Sequence, residues 1–496
     1  MRDTPVWRIG LKRRRPAGQP EAYGPASFNS PKTGERSNAV AARALSEIRF
    51  NALAGYTRDP RLVRVAQEFE WLATDDERVI GVLVWDRHDH DFGWIALGRD
   101  EREQFRAVEV NSTLATADEA RAQLVAAMDR LQAGPPEDLL QGEDGPPPMD
   151  FFEPITPEAD QHPAFRKLIS DPRYSPAREL IAAMMRYHQD VDGNFVQQFQ
   201  TVGFDARLWE LYLFAAFTER GFARQGDAVA PDFQFSGLNG SLGVEATTAN
   251  APQGEAEAPP LTRETFDDYL TNFIPIKLVR PLRRKLRKQP PYWAAEGMAD
   301  RPFVLALQDF HAQGSMRFIA PAANELLFGV RHSMREGKIH VERIERHIYG
   351  AANEPSGFFA YERAENVSAV LINPQGTLLK FNRMGFLAGF GDPRVRMLRE
   401  GYRRHEGDPD DPAPRPFRDL VHAPGYAETW VEGMVVIHNP NALIPLDPAL
   451  IRGATHEFVR PDGRIMSLMP DTPPPYFSST AVVIEGEEPQ PASTGE

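Results

Sequence analysis

The feature that most limits how this chain can fold is the stretch AGPPEDLLQGEDGPPPMDFFEP, residues 133–154. Proline has no N–H to donate and pushes the residue before it away from helix, so neither a helix nor a sheet ladder runs through so many breakers. The chain must therefore build separate cores on either side. At roughly 100 to 200 residues per domain, 496 residues leave room for that. The expected partition is a basic leader without fixed structure (1–38), a small α+β domain (39–135), a Pro/Gly-rich linker (136–160), a main α/β domain (161–400), a C-terminal strand-containing extension (401–482) and an acidic tail without fixed structure (483–496).

Composition narrows the chemistry. There is no cysteine, which removes disulfides, thiolate nucleophiles and every Cys-containing zinc site. Carboxylates, histidines and hydroxyls are left. Lys plus Arg number 56 against 70 Asp plus Glu, a formal charge of −14 that argues against a protein coating DNA over its whole surface. No apolar run approaches the roughly 20 residues of a membrane span, so no membrane contact is expected. The N-terminal MRDTPVWRIGLKRRRPAGQP has no apolar segment behind its basic residues, so it is not expected to act as a secretory leader, and a cytoplasmic protein is expected. LKRRR (11–15) reads as a solvated charge run.

Periodicity gives the elements. A helix is expected over 38–53, followed by an antiparallel meander in EFEWLATDDERVIGVLVWDRHDHDFGWIALGRDEREQFRAVEV and an amphipathic helix ending at Gly134. Trp71, Trp85, Phe92, Trp94 and Phe105 of the meander read as core. No motif says whether this domain is a sensor, a partner-binding module or an acyltransferase-like unit. Past the linker, PARELIAAMMRYHQDV and FDARLWELYLFAAFTERG have helical spacing. DFQFSGLNGSLGVEATTAN has two β-prone runs around a turn, so it reads as a hairpin. A helix from 263 to 288, kinked or restarted at Pro281, comes next, and then FVLALQDF and VSAVLINP read as buried strands. EGMVVIHNP gives one more strand near the C-terminus.

The informative run is helix, hairpin, basic helix, buried strand. Glu210 lies in the helix, Asp232 follows Pro231 at the start of the first strand, and Glu245 sits in the second. Residues i and i+2 of a strand share a face, so Glu245 and Thr247 project together, and an antiparallel partner can bring Asp232 to them. Two carboxylates meeting there suit a hard cation such as Mg²⁺. The following KLVRPLRRKLRK (277–288) holds seven basic residues in twelve, with Leu278, Leu282 and Leu286 turned inward. Lys277, Arg280, Arg283, Arg284, Arg287 and Lys288 are the candidate contacts to a phosphate backbone.

This order of residues resembles the PD-(D/E)XK nuclease superfamily, with Asp232 of PDF as the motif Asp, Glu245 of VEAT as the second acidic residue and Glu210 as the additional helix Glu. The likeness covers about 110 residues strictly, and about 200 with the later strands. It implies a restriction-endonuclease-like α/β sandwich with a mixed central sheet, Mg²⁺ or Mn²⁺ held by Asp232 and Glu245, and hydrolysis of phosphodiester bonds in DNA or RNA. A restriction or defence role, acting as a homodimer or with a partner protein, would suit it. One departure stands out: Thr247 occupies the place of the motif Lys. Either a lysine has migrated, with Lys285 the first candidate and Lys277 the second, or the scaffold is catalytically inactive and binds nucleic acid or protein.

The remaining polar motifs read as structural. Gln308, Asp309 and His311 close a strand, RHDHD (87–91) lies at a hairpin turn, and His422 and His438 have no partner spacing. GxxxxGK(S/T), GxGxxG and GxSxG are absent.

Overall fold

The computed structural model describes residues 42–486 except 141–147, 149, 189, 191–192, 227–229, 251–260, 313, 337 and 404–413. The leader and almost all of the tail expected from the sequence lie outside these residues. The chain is mixed α/β and forms two compact units. One takes the described residues of 1–45, 63–101 and 105–145; the other takes those of 46–62, 102–104 and 146–496. The helix expected over 38–53 is shorter than its periodicity suggests. Arg43–Leu45 is a strand, and helix α1 (Glu47–Ala54) starts only where the Ser46 side chain accepts from Arg49 N. Residues 46–62 and 102–104 cluster with the second unit, so the domain expected as one continuous stretch, 39–135, is interrupted twice.

The first unit is a five-stranded antiparallel sheet, in sequence order, of β1 (Arg43–Leu45), β2 (Ala66–Ala73), β3 (Val79–Asp86), β4 (Phe92–Arg99) and β5 (Phe105–Leu114). Helix α2 (Ala117–Ala133) follows. Its first turn is closed by Thr116 accepting from Glu119 N, and Gly134 ends it. Leu124, Ala127, Met128 and Leu131 on α2 pack with Leu72, Val79, Leu83 and Trp94. Gly81 lets the helix approach, because a Cβ there would lie 2.7 Å from the Leu124 side chain. RHDHD forms the β3–β4 turn, with Asp86 accepting from His88 N and Asp89 N.

The second unit is organised by an eight-stranded mixed sheet. Helix α3 (Ser175–Met185) and helix α4 (Phe204–Glu219) precede strands β6 (Phe222–Arg224), β7 (Phe233–Gly237) and β8 (Gly240–Asn250). Helix α5 (Ile274–Leu286), strand β9 (Phe303–Phe310) and helix α6 (Ile319–Phe328) come next. Two small hairpins, β10 (Val330–Arg335) with β11 (Lys338–Arg343) and β12 (Arg346–Tyr349) with β13 (Ala352–Pro355), precede β14 (Ala369–Ile372) and helix α7 (Leu378–Leu387). Then follow β15 (Val395–Arg403), β16 (Arg415–Leu420), β17 (Val435–His438), β18 (Thr455–Val459), β19 (Ile465–Leu468) and β20 (Phe477–Ile484). The large sheet runs β19-β18-β17-β14-β9-β8-β7-β6, and β16-β15-β20 form a separate antiparallel sheet.

This topology corrects the C-terminal division. The expected boundary at 400 falls inside β15, and β17 pairs with β14 in the middle of the large sheet. Nonlocal pairing of this kind leaves no local mark in sequence. A second correction concerns α5. Its irregularity lies before the helix, in a π-turn at Tyr269–Phe273, and Pro281 is taken up buried inside α5 without a restart.

The two faces of the sheet are covered differently. Leu278, Val279, Leu282 and Leu286 of α5 and Ala322, Leu326 and Leu327 of α6 pack on Leu305, Leu307, Val370 and Ile437. On the other face Phe217 of α4 stacks on Phe235, and Trp209 Nε1 donates to the Ala306 carbonyl of β9. Strand β8 thus lies between α4 and α5 and carries Glu245, with Glu210 on α4 and Asp232 just before β7.

Candidate active site

The site arises where the sheet is incomplete. β7 and β8 pair from Gly237↔Gly240 to Phe233↔Val244, and there β7 begins. From Glu245 onward β8 keeps its parallel partner β9, and among the described residues no strand pairs with it on the β7 side, which leaves an open edge. Asp232 closes the first position of that edge. Its Oδ2 accepts from Ala246 N at 2.7 Å, and its backbone N–H donates to Glu245 Oε2 at 3.0 Å. A pair of side-chain bonds replaces one rung of the ladder and holds the two carboxylates side by side.

Helices bring further charges around this edge. Lys285 of α5 donates its Nζ to Glu245 Oε1. Glu210 of α4 reaches the same space and is paired with Arg207, one turn earlier, at 2.8 Å. A cleft of about 210 Å³ is lined by Arg207 and Glu210, by Asp232, by Thr247 and by Arg284 and Lys285. Comparisons with family models, with curated proteins and with solved structures found no match. The site's chemistry must be read from its own residues.

The carboxylates repel one another in poor solvation. Burial, then the charges of Glu245 and Glu210, push the Asp232 carboxyl well above the usual range. Burial also raises Glu210, against the pull of Arg207. Tyr292 lies against Glu245, and its phenol is raised by burial and by that carboxylate, so it stays a neutral donor. Thr247 is 4% exposed, and its hydroxyl oxygen is buried with no hydrogen-bond partner. An oxygen orphaned beside crowded carboxylates suits a ligand that brings positive charge or donor hydrogens. Among the described residues no cluster of three or more His, Asp or Glu is arranged as a ready-made metal centre. The donor set, Asp232 and Glu245 with the Thr247 hydroxyl nearby, is all oxygen and fits Mg²⁺, which binds through one or two carboxylates and keeps water on its other positions.

The expected nucleic-acid contacts separate into groups. Lys277, Arg280 and Arg284 line a second cleft of about 370 Å³ with Thr248, Asn250 and Pro281. Arg287 and Lys288 are exposed at the end of α5. Arg283 is corrected: its guanidinium is held in a two-pronged pair by Glu354 of β13 and does not face that cleft. At 100° per residue, position 283 points about 120° away from 277 and 285 about 80° to the other side, which is why one basic run serves three surfaces.

Gln308 and Asp309 point inward. Gln308 Nε2 donates to the Asn373 and Gly376 carbonyls, and Asp309 Oδ1 bonds His311 Nδ1 at 2.6 Å. His438 is bonded to His456 in the interior. Sequence reasoning missed Arg207 and Tyr292. Arg207 had a signal, the i,i+3 spacing to Glu210 on one helix. Tyr292 arrives from a short loop after α5, and only the fold brings it to Glu245.

Proposed function

We propose that this protein is a metal-dependent nuclease that hydrolyses phosphodiester bonds, DNA being the first substrate to test and RNA the second. In this reading its second unit is a restriction-endonuclease-like α/β sandwich acting in the cytoplasm, as suits a restriction or defence factor. The observation that carries the reading is the placement of Lys285 on Glu245, next to Asp232, at the open edge of β8. A cation stands beside the position where Thr247 replaces the motif lysine.

Asp232 and Glu245 would hold Mg²⁺ or Mn²⁺. When bound, the ion supplies Lewis-acid chemistry, lowering the pKa of a water and screening the charge of the scissile phosphate. The chain's own residues do the rest. The Ala246 N–H bonded to the Asp232 carboxylate and the Asp232 N–H bonded to the Glu245 carboxylate fix both groups, so they need not reorganise when substrate arrives. Lys285, half-buried, places an ammonium where the attacking water must be oriented and where negative charge grows in the transition state. Glu210 is a proton acceptor in the same cleft, kept in place by Arg207. The Thr247 hydroxyl offers a donor or acceptor to whatever enters.

The test is incubation of the protein with plasmid, linear duplex, single-stranded DNA and RNA in Mg²⁺ or Mn²⁺, beside Asp232→Asn and Lys285→Met variants. Cleavage by the wild type, reduced at least about a hundredfold in each variant, supports the assignment. Equal cleavage by all three would trace the activity to a contaminant. Oligonucleotide binding without cleavage under any metal selects the other reading, an inactive scaffold used as a binding module; the specific observation behind it is Thr247 itself.

A further inference from the structure

The second cleft lies directly beside the site. It shares Thr248 and Arg284 with the carboxylate cleft, so the two cavities, about 210 and 370 Å³, adjoin between the end of β8 and α5, the second as a groove. Its wall carries three cations, Lys277, Arg280 and Arg284, and no carboxylate among the described residues. Arg280 and Arg284 are exposed. The contrast with Arg283 is informative, because that guanidinium is consumed by Glu354 whereas these two are left facing the groove. Among the described residues the second cleft has no aromatic side chain in its lining; Thr248 and Asn250 provide hydroxyl and amide groups instead. Three cations with no carboxylate beside them match phosphate oxygens, the contacts that position a strand without carrying sequence information.

Resting on the nuclease reading of the adjacent site, we infer that this groove is a backbone subsite that holds consecutive phosphates of one nucleic-acid strand next to the scissile one, without reading sequence. Thr247 and Asn250 lie three strand steps apart, about 10 Å. At the roughly 3.4 Å rise of a stacked strand, that distance takes in more than one phosphate. Lys277 and Arg280 hold the strand away from the carboxylates, and Arg284, which faces both cavities, marks the junction. Each contact acts by releasing counterions, so its effect is largest at low salt. The substrate class that follows is a polynucleotide of any sequence, bound better than a mononucleotide.

Binding of a fluorescein-labelled oligothymidylate, followed by anisotropy in EDTA so that the strand stays intact, tests this across salt concentrations of about 0.05 to 0.2 M. Two double variants remove equal charge: Lys277→Gln with Arg280→Gln inside the groove, and Arg287→Gln with Lys288→Gln outside it. At about 0.7 per single-strand phosphate contact, the groove pair is expected to lower the log–log salt slope by about 1.4 and to weaken binding about tenfold, with less than half of either change in the outer pair. Arg280→Gln alone, at an exposed position, gives half the slope change if the double variant unfolds. Equal losses in the two pairs, or thymidine monophosphate competing as well as the labelled strand, overturn the subsite. Groove-dependent binding with no hydrolysis in any metal retires the nuclease reading and leaves the subsite standing. Hydrolysis with no difference between the pairs does the reverse.

Discussion

The second unit contains two clusters of buried charge that follow opposite rules. Around Glu428, the Lys380 ammonium and the Arg383 guanidinium both donate to the carboxylate, Tyr426 adds its hydroxyl at 2.7 Å, and Arg399 stands 3.6 Å away while binding Glu432. Burial alone would raise Glu428, but the surrounding cations outweigh it and hold the carboxyl well below its ordinary value. Around Glu245 the proportions are inverted. Three carboxylates share Lys285 and Arg207, Asp232 is raised instead of lowered, and the Thr247 hydroxyl has no partner. A closed network with every lone pair used has no capacity for a ligand and serves to tie α7, β15 and the 426–432 segment together. An excess of like charge beside an open cleft is what an incoming cation relieves. Buried charge is therefore not itself the mark of a site; the unpaired remainder is.

Experiments can break this contrast in order of size. Glu428→Ala leaves two buried cations without their carboxylate, and a loss of about 3 to 5 kcal/mol of stability is expected, read as an early unfolding transition in denaturant. A loss under about 1 kcal/mol would mean that the network is not closed as described. Divalent cation should act on the other cluster alone. Mg²⁺ or Mn²⁺ at about a hundred times its dissociation constant stabilises the wild type by about 2.7 kcal/mol, and Asp232→Asn abolishes that gain; a gain that survives in the variant places the ion elsewhere.

Smaller effects sharpen the same point. Without metal, Asp232→Asn removes a carboxylate that its neighbours disfavour while its side-chain oxygen can still accept from Ala246 N. A gain of about 1 kcal/mol in stability is expected together with the loss of cleavage, the pattern of a residue kept for function at a structural cost. Thr247→Val replaces an orphaned hydroxyl by a methyl of similar shape, and melting should be unchanged or raised by the equivalent of about 1 kcal/mol. A clear destabilisation would show that the hydroxyl has a partner.

The acid limb separates the clusters last. Glu428 has its folded pKa below its unfolded one, so the unfolded chain takes up the proton first as pH falls. Its contribution is complete above about 4.5 and is lost as pH drops through the folded value. Denaturant midpoints measured downward from pH 6 should therefore fall less steeply for Glu428→Gln than for the wild type.

The fold was legible in the sequence wherever the signal was local. Thr116 and Glu119 with Gly134 bracket α2, the GLNG segment turns β7 into β8, and FVLALQDF forms β9. The boundary placed at 400 was not legible, because β17 joins the sheet through a pairing that spans more than sixty residues, between Ala369 and His438, and carries β18 and β19 with it. The irregularity assigned to Pro281 lay instead in the preceding π-turn, where no breaker marks it.

For the site, the sequence by itself determined which groups are present: carboxylates at 210, 232 and 245, a threonine where a lysine was expected, and a run of cations on the next helix. Strand period and helix pitch follow from covalent geometry, so they also fixed that Glu245 and Thr247 share a face and that the basic run spreads over several. Only the tertiary structure decided how these groups are used. The late start of β7, at Phe233 opposite Val244, leaves the β8 edge unpaired beyond it, the rotation of α5 gives Lys285 to Glu245 and Arg283 to Glu354, and the loop after α5 returns Tyr292. Each depends on where one element stops against another, and packing across the whole sheet sets that, not the residues nearby in the chain.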